Sequence, residues 1–326
     1  MRKFFLVFLF LGIFILGGCL PKDNNKIKVY TSVYPIYDFT SKIGGDKVAV
    51  YPVVDFGVEP HHYEPDAATI VKLKNADLFI YNGLKMEYWL DKIKSQLPEN
   101  KPKLVCATDG VQKRYGHNHY HHDDNEHNHH NEEGIDPHAW LNPLNVITMM
   151  ENIKNALVEI DPENADYYNA NFQHYSEKLN ELDTRYYNQI NRFDANIRKI
   201  IVSHDAFGYL CERYGIEQWA IEGLSRDTEP DMNKIANTIE YAKNNNIGVI
   251  FYEKSTGPSV ANAIAKDLKE LTGNNVIVIE LNPIEAISKK ERKDGIDYFK
   301  IMEQNLANLV HSFNITENLT NQKSVK

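Results

Sequence analysis

Residues 161–198, DPENADYYNANFQHYSEKLNELDTRYYNQINRFDANIR, predict one long helix in the middle of the chain. Asp161, Pro162 and Glu163 are typical of a helix start, because they supply an N-cap, a first-turn proline and an acid at the positive end of the helix dipole. Apolar side chains then recur at steps of three and four: Phe172, Tyr175, Leu179, Leu182, Tyr186, Ile190, Phe193 and Ile197. A helix of roughly 35 residues is about 50 Å long, enough to run along a body with two lobes. A coiled coil is the alternative, since the stripe persists for about four heptads.

Strand and helix patterns alternate on both sides of this helix. Before it, strands are predicted at 27–33, 48–54, 76–81 and 103–107, with helices at 34–43, 67–74, 86–96 and 144–160. After it, strands are predicted at 199–203, 247–252 and 276–281, with helices at 206–214, 231–244, 260–271 and 296–313. This order is typical of an α/β protein in which mostly parallel sheets are flanked by helices. The predicted division is an N-terminal lobe at 27–160, the linking helix at 161–198, a C-terminal lobe at 199–313 and a polar tail at 314–326.

The chain begins with a secretory signal. A basic Met-Arg-Lys is followed by an apolar run over residues 4–16 and by Leu-Gly-Gly-Cys ending at Cys19, which is the order of a signal peptide and its cleavage site. A transmembrane anchor is the alternative, but the run is shorter than the roughly 20 residues that a spanning helix needs. Leu-Gly-Gly-Cys resembles the bacterial lipoprotein box. That resemblance implies loss of residues 1–18, a lipid such as palmitate on Cys19 and a polar tether at 19–26.

Composition limits the class of protein and its partners. The chain has 326 residues, of which 42% are hydrophobic and 25% charged, so it can form two domains that each have a core. Loss of the signal would remove two basic residues and take the formal net charge from −9 to −11, which argues against nucleic acid as a partner. Apart from Cys19, the cysteines are Cys106 and Cys211. Their apolar or helical surroundings favour buried thiols, with a disulfide as the open alternative.

A histidine-rich segment interrupts the N-terminal lobe. Residues 117–133 have seven histidines, five acidic residues and almost no apolar ones, a composition that predicts a loop. It is interpreted either as a compositional insert or as a low-affinity collector of metal, and it is not expected to form one unique tetrahedral site. Its histidines are His117, His119, His121, His122, His127, His129 and His130.

Four short stretches carry ligand-capable side chains close to the ends of predicted elements. They are EPHHYEP at 59–65, DPHAWLNP at 136–143, VSHDAF at 202–207 and LNPIE at 281–285. In open α/β sheets ligands bind beyond the carboxyl ends of the strands, so two stretches from each lobe can meet in the cleft between lobes. His138 lies between two prolines that stiffen its backbone, which suits a metal ligand, although one such histidine alone could simply bond to the backbone. Three imidazoles and one carboxylate would fill a tetrahedral zinc shell.

In combination these motifs resemble a known family. Glu-Pro-His-x-Tyr-Glu-Pro, Asp-Pro-His-x-Trp-Leu-x-Pro, Ser-His-x-Ala-Phe-x-Tyr-Leu, Arg-Tyr-Gly and Asn-Pro-Ile-Glu look like those of the zinc-specific solute-binding lipoproteins of metal ABC uptake transporters. That group belongs to the bacterial metal-binding solute-binding protein family 9. The similarity extends from Ile27 to Phe313. It implies two lobes joined by a single long helix, with the metal in the cleft between them.

The resemblance also implies a ligand set. Matched motif by motif, the metal ligands are His61, His138, His204 and Glu285. Glu280 is the rival for the fourth position, because the interval that follows the third histidine is a few residues longer than we expect for the family. His62 stands where an acid is frequent, and we expect it to face solvent and not to act as a fifth ligand.

The third histidine indicates which metal is bound. Manganese-binding members of the family carry a carboxylate where this chain has His204, and imidazole suits zinc better than manganese. The resemblance therefore implies Zn²⁺, with a manganese- or iron-binding member as the alternative. Asp205 or Glu253 is expected to orient an imidazole N–H from behind.

The expected function is that of a binding protein and not of an enzyme. A monomer anchored by lipid to the outer face of the cytoplasmic membrane would capture zinc and deliver it to an ABC permease. An anchored zinc hydrolase is the alternative from another class, but a catalytic zinc keeps one position open for water, and the chain has no His-Glu-x-x-His sequence. A surface adhesin is the third interpretation.

Overall fold

The computed structural model describes residues 26–116, 134–224 and 231–324. The N-terminal lobe is a sheet of four parallel strands in the order β2-β1-β3-β4. Its strands are β1 (Ile27–Thr31), β2 (Val48–Pro52), β3 (Leu78–Tyr81) and β4 (Lys103–Cys106). Its helices are α1 (Tyr34–Gly44), α2 (Ala67–Lys74), α3 (Leu90–Lys94) and α4 (Pro143–Ile160). Asp66 caps α2 by accepting a hydrogen bond from the Thr69 backbone N–H at 2.7 Å, as the sequence predicts.

The long helix α5 spans Ala165–Ile190. Its 26 residues make it about 39 Å long, shorter than the predicted helix. At its start Asp161 does not cap it; the carboxylate accepts hydrogen bonds from the Tyr168 hydroxyl at 2.6 Å and the Asn164 amide at 2.8 Å. The apolar repeat continues past the end of the helix, because the turns that follow α5 also bury Phe193 and Ile197 in the core. The apolar spacing in the sequence is therefore longer than the helix.

The stripe on α5 faces the core of its own chain. The helix packs against α1 and α4 of the N-terminal lobe and against two helices of the second lobe, so the apolar residues serve that core and not a coiled coil. Leu179, Leu182 and Tyr186 are fully buried. The Tyr186 hydroxyl donates a hydrogen bond to the Met302 carbonyl at 2.6 Å. One helix therefore holds both lobes.

The C-terminal lobe is also built from parallel strands and helices. Its strands are β5 (Lys199–Val202), β6 (Glu217–Ala220), β7 (Val249–Tyr252) and β8 (Ile277–Glu280), and its helices are α6 (Gly208–Tyr214), α7 (Met232–Asn244), α8 (Ser259–Thr272) and α9 (Lys289–Lys293). Parallel pairs β5-β6 and β7-β8 lie side by side, since β5 contacts β7. Within the described residues the hydrogen-bonded strands of this lobe form two parallel two-stranded sheets, whereas those of the first lobe form one sheet of four. The α/β fold with two lobes of parallel strands is thereby confirmed.

The last helix, α10, spans Tyr298–Ser324. It runs through residues 314–324, so the prediction of a polar tail there is wrong for the described part of the chain. Ile315 and Leu319 pack directly over Gly248, where an added Cβ would lie 2.3 Å and 2.9 Å from their side-chain carbons. This close approach extends the apolar face of α10 by two turns. Two isolated apolar residues in a polar sequence were too weak a signal to predict it.

Two smaller points follow from the described residues. Cys106 and Cys211 are both free thiols, and Cys211 is buried as predicted, whereas Cys106 is only partly buried. Within the described ranges, no helix combines the length and the apolar character needed to cross a membrane. The predicted signal and Cys19 lie outside those ranges.

Candidate metal centre

The four predicted ligand side chains meet at one point between the lobes. The side chains of His61, His138, His204 and Glu285 each offer a ligand atom, and these atoms all lie within 4.8 Å of one another. His61 lies between β2 and α2, and His204 follows β5 by two residues. His138 lies just before a 3₁₀ turn and α4, and Glu285 lies in the loop after β8. Two segments from each lobe thus supply the cluster.

Glu285 lies at the centre of this cluster. Its Oε1 atom is 3.1 Å from His61 Nε2, 2.8 Å from His138 Nε2 and 3.0 Å from His204 Nε2. The Nε2 atoms of His61 and His138 are 3.2 Å apart. Ligands about 2.0 to 2.2 Å from a tetrahedral zinc ion are about 3.3 to 3.6 Å from one another. A small outward shift of these side chains would therefore admit a zinc ion.

His138 is oriented from behind by Asp136. The carboxylate Oδ1 accepts hydrogen bonds from His138 Nδ1 at 2.7 Å and from the His138 backbone N–H at 2.9 Å. The other oxygen, Oδ2, accepts one from Arg114 at 2.8 Å. Both His138 and Asp136 are fully buried. Because Nδ1 donates its proton to the carboxylate, Nε2 is the nitrogen directed at the centre of the cluster, and its lone pair would face a cation that displaces the Nε2 proton.

His204 is oriented in the same way by Glu253. The Glu253 carboxylate, one residue beyond β7, accepts a hydrogen bond from His204 Nδ1 at 2.6 Å. Sequence offered Asp205 and Glu253 for this role, and the geometry selects Glu253. The Asp205 carboxylate instead accepts a hydrogen bond from the Gln218 amide.

The loop that carries Glu285 is held by both lobes. Trp140 of the N-terminal lobe donates its indole N–H to the Pro283 carbonyl at 2.7 Å. Asn305 of α10 brackets Asn282, donating to its carbonyl at 2.7 Å and accepting from its N–H at 3.0 Å. Ile284, fully buried, has a φ of +62°, which is strained for a β-branched residue. The surrounding contacts keep this backbone in place and aim Glu285 at the histidines.

The two doubtful residues lie outside the cluster. Glu280 is the last residue of β8, and its carboxylate accepts a hydrogen bond from the Asn282 amide at 3.5 Å. It is not part of the group that converges on His204. His62 is exposed. Glu285 is therefore the carboxylate that converges with the three histidines, and His62 is not in that group.

When no cation is present, the carboxylates around the buried histidines favour protonated imidazole rings. Burial alone would lower the pKa of His204, but the carboxylates of Glu253 and Glu285 outweigh it and raise that pKa to about 10. Burial also opposes the charged form of His138, yet hydrogen bonds to Asp136 and Glu285 raise its pKa. Burial would raise the pKa of Glu285, and the neighbouring imidazoles hold it well below its usual value. A divalent cation would replace these protons as the positive charge.

The fold and the converging side chains define a class, a two-lobed metal-binding protein of the solute-binding type. The chain belongs to the family described as zinc-uptake complex component A, periplasmic, whose model matches residues 29–312.

Relatives of known name agree with this membership. The high-affinity zinc uptake system protein ZnuA of Bacillus subtilis is 36% identical over 289 residues, which are 89% of this chain and 88% of that protein. The zinc-binding protein AdcA of Streptococcus pyogenes is 37% identical over 295 residues, 88% of this chain and 56% of AdcA. The chain thus spans just over half the length of AdcA. The Zn(II)-bound ZnuA-like domain of Streptococcus pneumoniae AdcA superposes with a TM-score of 0.73 at 32% identity, covering 88% of this chain and 99% of that structure.

Sequence reasoning missed Asp136 and Arg114. The spacing Asp-Pro-His is a usable signal for Asp136, because a carboxylate two residues before a histidine, across a rigid proline, can bond both its backbone and its ring. Arg114 offered no comparable signal. The histidine-rich segment 117–133 lies outside the described residues, so its interpretation stays a prediction.

Proposed function

We propose that this protein binds Zn²⁺ outside the cytoplasmic membrane and delivers it to an ABC permease of a zinc uptake system. The observation that carries the proposal is the meeting of three imidazole nitrogens and one carboxylate oxygen between the lobes. The proposed ligands are His61, His138, His204 and Glu285. Membership of the zinc-uptake family supports the transport role, as do the names of its zinc-binding relatives.

Zinc is favoured over manganese by the ligand atoms themselves. Imidazole nitrogen suits zinc, whereas manganese favours carboxylates, carbonyls and water. In this cluster three of the four converging atoms are nitrogens. The carboxylates of Asp136 and Glu253 bind the Nδ1 atoms of two rings, which fixes each ring with Nε2 towards the ion and raises its basicity.

The same geometry argues against a zinc hydrolase. A catalytic zinc has three protein ligands and an open position for water, with a general base beside it. Four converging side chains would instead close the shell. Asp136 and Glu253 bond to Nδ1, while Glu285 bonds to Nε2 on the other side of each ring. Neither carboxylate therefore faces the position where a water would be activated.

Access to the site differs among the ligands. His138 and His204 are fully buried, whereas the side chain of His61 is 7% exposed and lies in a segment without helix or strand between β2 and α2. We propose that His61 is the first ligand to meet an incoming ion and the last to leave it. Binding and release would then not require either sheet to open.

Metal analysis of the protein purified without a histidine tag and without added metal tests the proposal. We expect one equivalent of zinc per chain, retained through gel filtration, because a closed four-ligand site dissociates slowly. To test delivery, this zinc content is compared with that of protein purified from a strain that lacks the cognate permease. Manganese or iron at one equivalent, or no bound metal after exposure to zinc, would contradict the proposal.

We further propose a lipid anchor on Cys19 and an accessory role for the histidines of residues 117–133. The anchor would keep the protein at the outer face of the membrane as a monomer, close to the permease. A relative of 34% identity, from Streptococcus pneumoniae, is named a zinc-binding lipoprotein, which supports the anchor. The accessory sites would be weak and variable in number, because an acidic and histidine-rich sequence with almost no apolar residues cannot build a rigid shell.

Deleting residues 119–130 is expected to leave one tight zinc per chain and to remove only weaker zinc. The tight site should persist because the four proposed ligands lie outside the deleted segment. Isothermal titration calorimetry of the deletion and of the intact chain measures both steps. Loss of the high-affinity step, with the weak step kept, would show that the deleted histidines are the primary site.

A further inference from the structure

We propose that Arg114 is a positioning residue for the metal site, which holds Asp136 against His138 and ties this pair to the second lobe. The inference rests on the proposed function, because Arg114 would act on zinc only through the ligand His138. No contact of Arg114 with the converging ligand atoms is needed. Its role would be to fix the orientation of His138 and the distance between His138 and His204.

The first contact is with the buried carboxylate. Arg114 Nη1 donates a hydrogen bond to Asp136 Oδ2 at 2.8 Å; the arginine side chain is 11% exposed and that of Asp136 is fully buried. A buried carboxylate is costly unless a charge pairs with it. The guanidinium supplies that charge while leaving Oδ1 for the His138 ring. The two oxygens of Asp136 thus have separate tasks.

The backbone of Arg114 is held on both sides. Its carbonyl accepts a hydrogen bond from the Asp136 N–H at 2.8 Å, so the two residues are paired through main chain and side chain. Its own N–H donates to the Tyr209 hydroxyl oxygen at 2.9 Å, and that hydroxyl donates to the Gln112 carbonyl at 3.1 Å. Tyr209 belongs to α6 of the second lobe. The main chain of Arg114 is therefore hydrogen-bonded to residues of both lobes.

The guanidinium also lies against the segment that carries the third histidine. A Cβ added at Gly208 would lie 1.9 Å from Arg114 Nη1 and 2.0 Å from its Cζ, so the group occupies space that only a glycine leaves. Nη1 is 4.0 Å from Asp205 Oδ1, one residue after His204. One guanidinium therefore touches the surroundings of His138 in one lobe and of His204 in the other. A change in the separation of the lobes would be transmitted to His138 through it.

A purely structural ion pair is the competing explanation, and the chain offers a matched control for it. Arg213 donates two hydrogen bonds to Asp183, at 2.9 Å and 2.7 Å, in a pair that also joins two elements. Neither residue belongs to the cluster of converging ligands. Loss of this pair should lower stability without changing zinc affinity.

The test compares zinc affinities of full-length variants by competition with a chromophoric chelator. We expect Arg114→Gln to weaken zinc binding about 10-fold, the scale at which groups behind a ligand act. Arg114→Lys should recover part of the loss, because it keeps the charge but not the planar fork. Arg213→Gln should bind zinc like the parent protein. Thermal unfolding of each metal-free variant reports the structural contribution separately.

A double-mutant cycle with Asp136→Asn shows whether Arg114 acts through Asp136. If it does, the double variant should bind zinc about as tightly as Asp136→Asn alone, whereas independent structural effects would multiply. Should Arg114→Gln fail to fold, Gly208→Ala displaces the guanidinium without removing a charge and is expected to weaken binding as well. Zinc affinity equal to the parent's in Arg114→Gln, or in both Arg114→Lys and Gly208→Ala, would overturn the inference, as would losses that multiply in the cycle. A parent protein that does not bind zinc tightly would overturn the proposed function itself.

Discussion

Replacing His204 with alanine is expected to weaken zinc binding by about 100-fold or more while the protein remains folded. Tight four-ligand zinc sites gain about 10 to 16 kcal/mol, so one ligand contributes roughly 3 kcal/mol, which is over 100-fold in affinity. The His204 ring is fully buried with Nε2 directed at Glu285 at 3.0 Å. The site lies between the lobes, so each core is retained.

Chelator competition measures the loss, and circular dichroism reports the fold. The matched control is His174→Ala, an exposed histidine on α5, which should leave the affinity unchanged. An equal loss in both variants would point to a general effect on the protein. Parent-like affinity in His204→Ala would refute the assignment of this ligand.

Zinc affinity is expected to fall steeply as the pH is lowered from 7 to 5, by about 10- to 100-fold per pH unit. In the protein without a cation, the pKa of His204 is raised to about 10 and that of His138 is raised as well. The His204 ring is then protonated on Nε2 below about pH 10, and the raised pKa of His138 favours a proton there as well, so zinc must displace one or two protons to bind. Since protons favour the metal-free form, more acid weakens the binding of zinc. Glu285, with its lowered pKa, stays ionised in this range and does not offset the effect.

The measurement is the same competition titration across the pH range, corrected for protonation of the chelator. Calorimetry in two buffers of different ionisation enthalpy gives the number of protons released per zinc ion directly. The His204→Ala variant is the control, because it should release fewer protons than the parent. A flat affinity from pH 7 to 5, or zinc binding without proton release, would contradict a shell built on His138 and His204.

Most of the α/β architecture could be predicted from local patterns. Strands such as β3 and β7 are short, continuous apolar runs bounded by turns, and this signal is local. The strand β6 and the helix α9 were missed, because four residues such as Glu217–Ala220 are too few to show a period. The end of α5 was placed too late, since Phe193 is buried in a turn and continues the apolar spacing. Apolar spacing in the sequence indicates which residues are buried, and buried residues continue past the end of this helix.

The stretches that carry the candidate ligands could be predicted for a related reason, whereas the four individual ligands were implied by the resemblance to the family. Parallel strands bring their carboxyl ends to one edge of a sheet, so a histidine or a carboxylate placed just after a strand is already directed towards the cleft. The choice between Glu285 and Glu280 could not be made this way, because Glu280 ends the same strand that Glu285 follows. It depends on the turn at Ile284, which Trp140 holds from the other lobe.

The sequence by itself determined the two lobes, the helix between them and the four stretches that meet in the cleft, because periodicity and strand ends are properties of neighbouring residues. Only the tertiary structure decided the partners of the rings: Asp136 for His138, Glu253 for His204, and Arg114 behind Asp136. Glu253 is 49 residues from His204 and Arg114 is 22 from Asp136. Each of these pairs lies within one lobe, and hydrogen bonds over such separations depend on how distant segments of that lobe pack together, which no local pattern encodes.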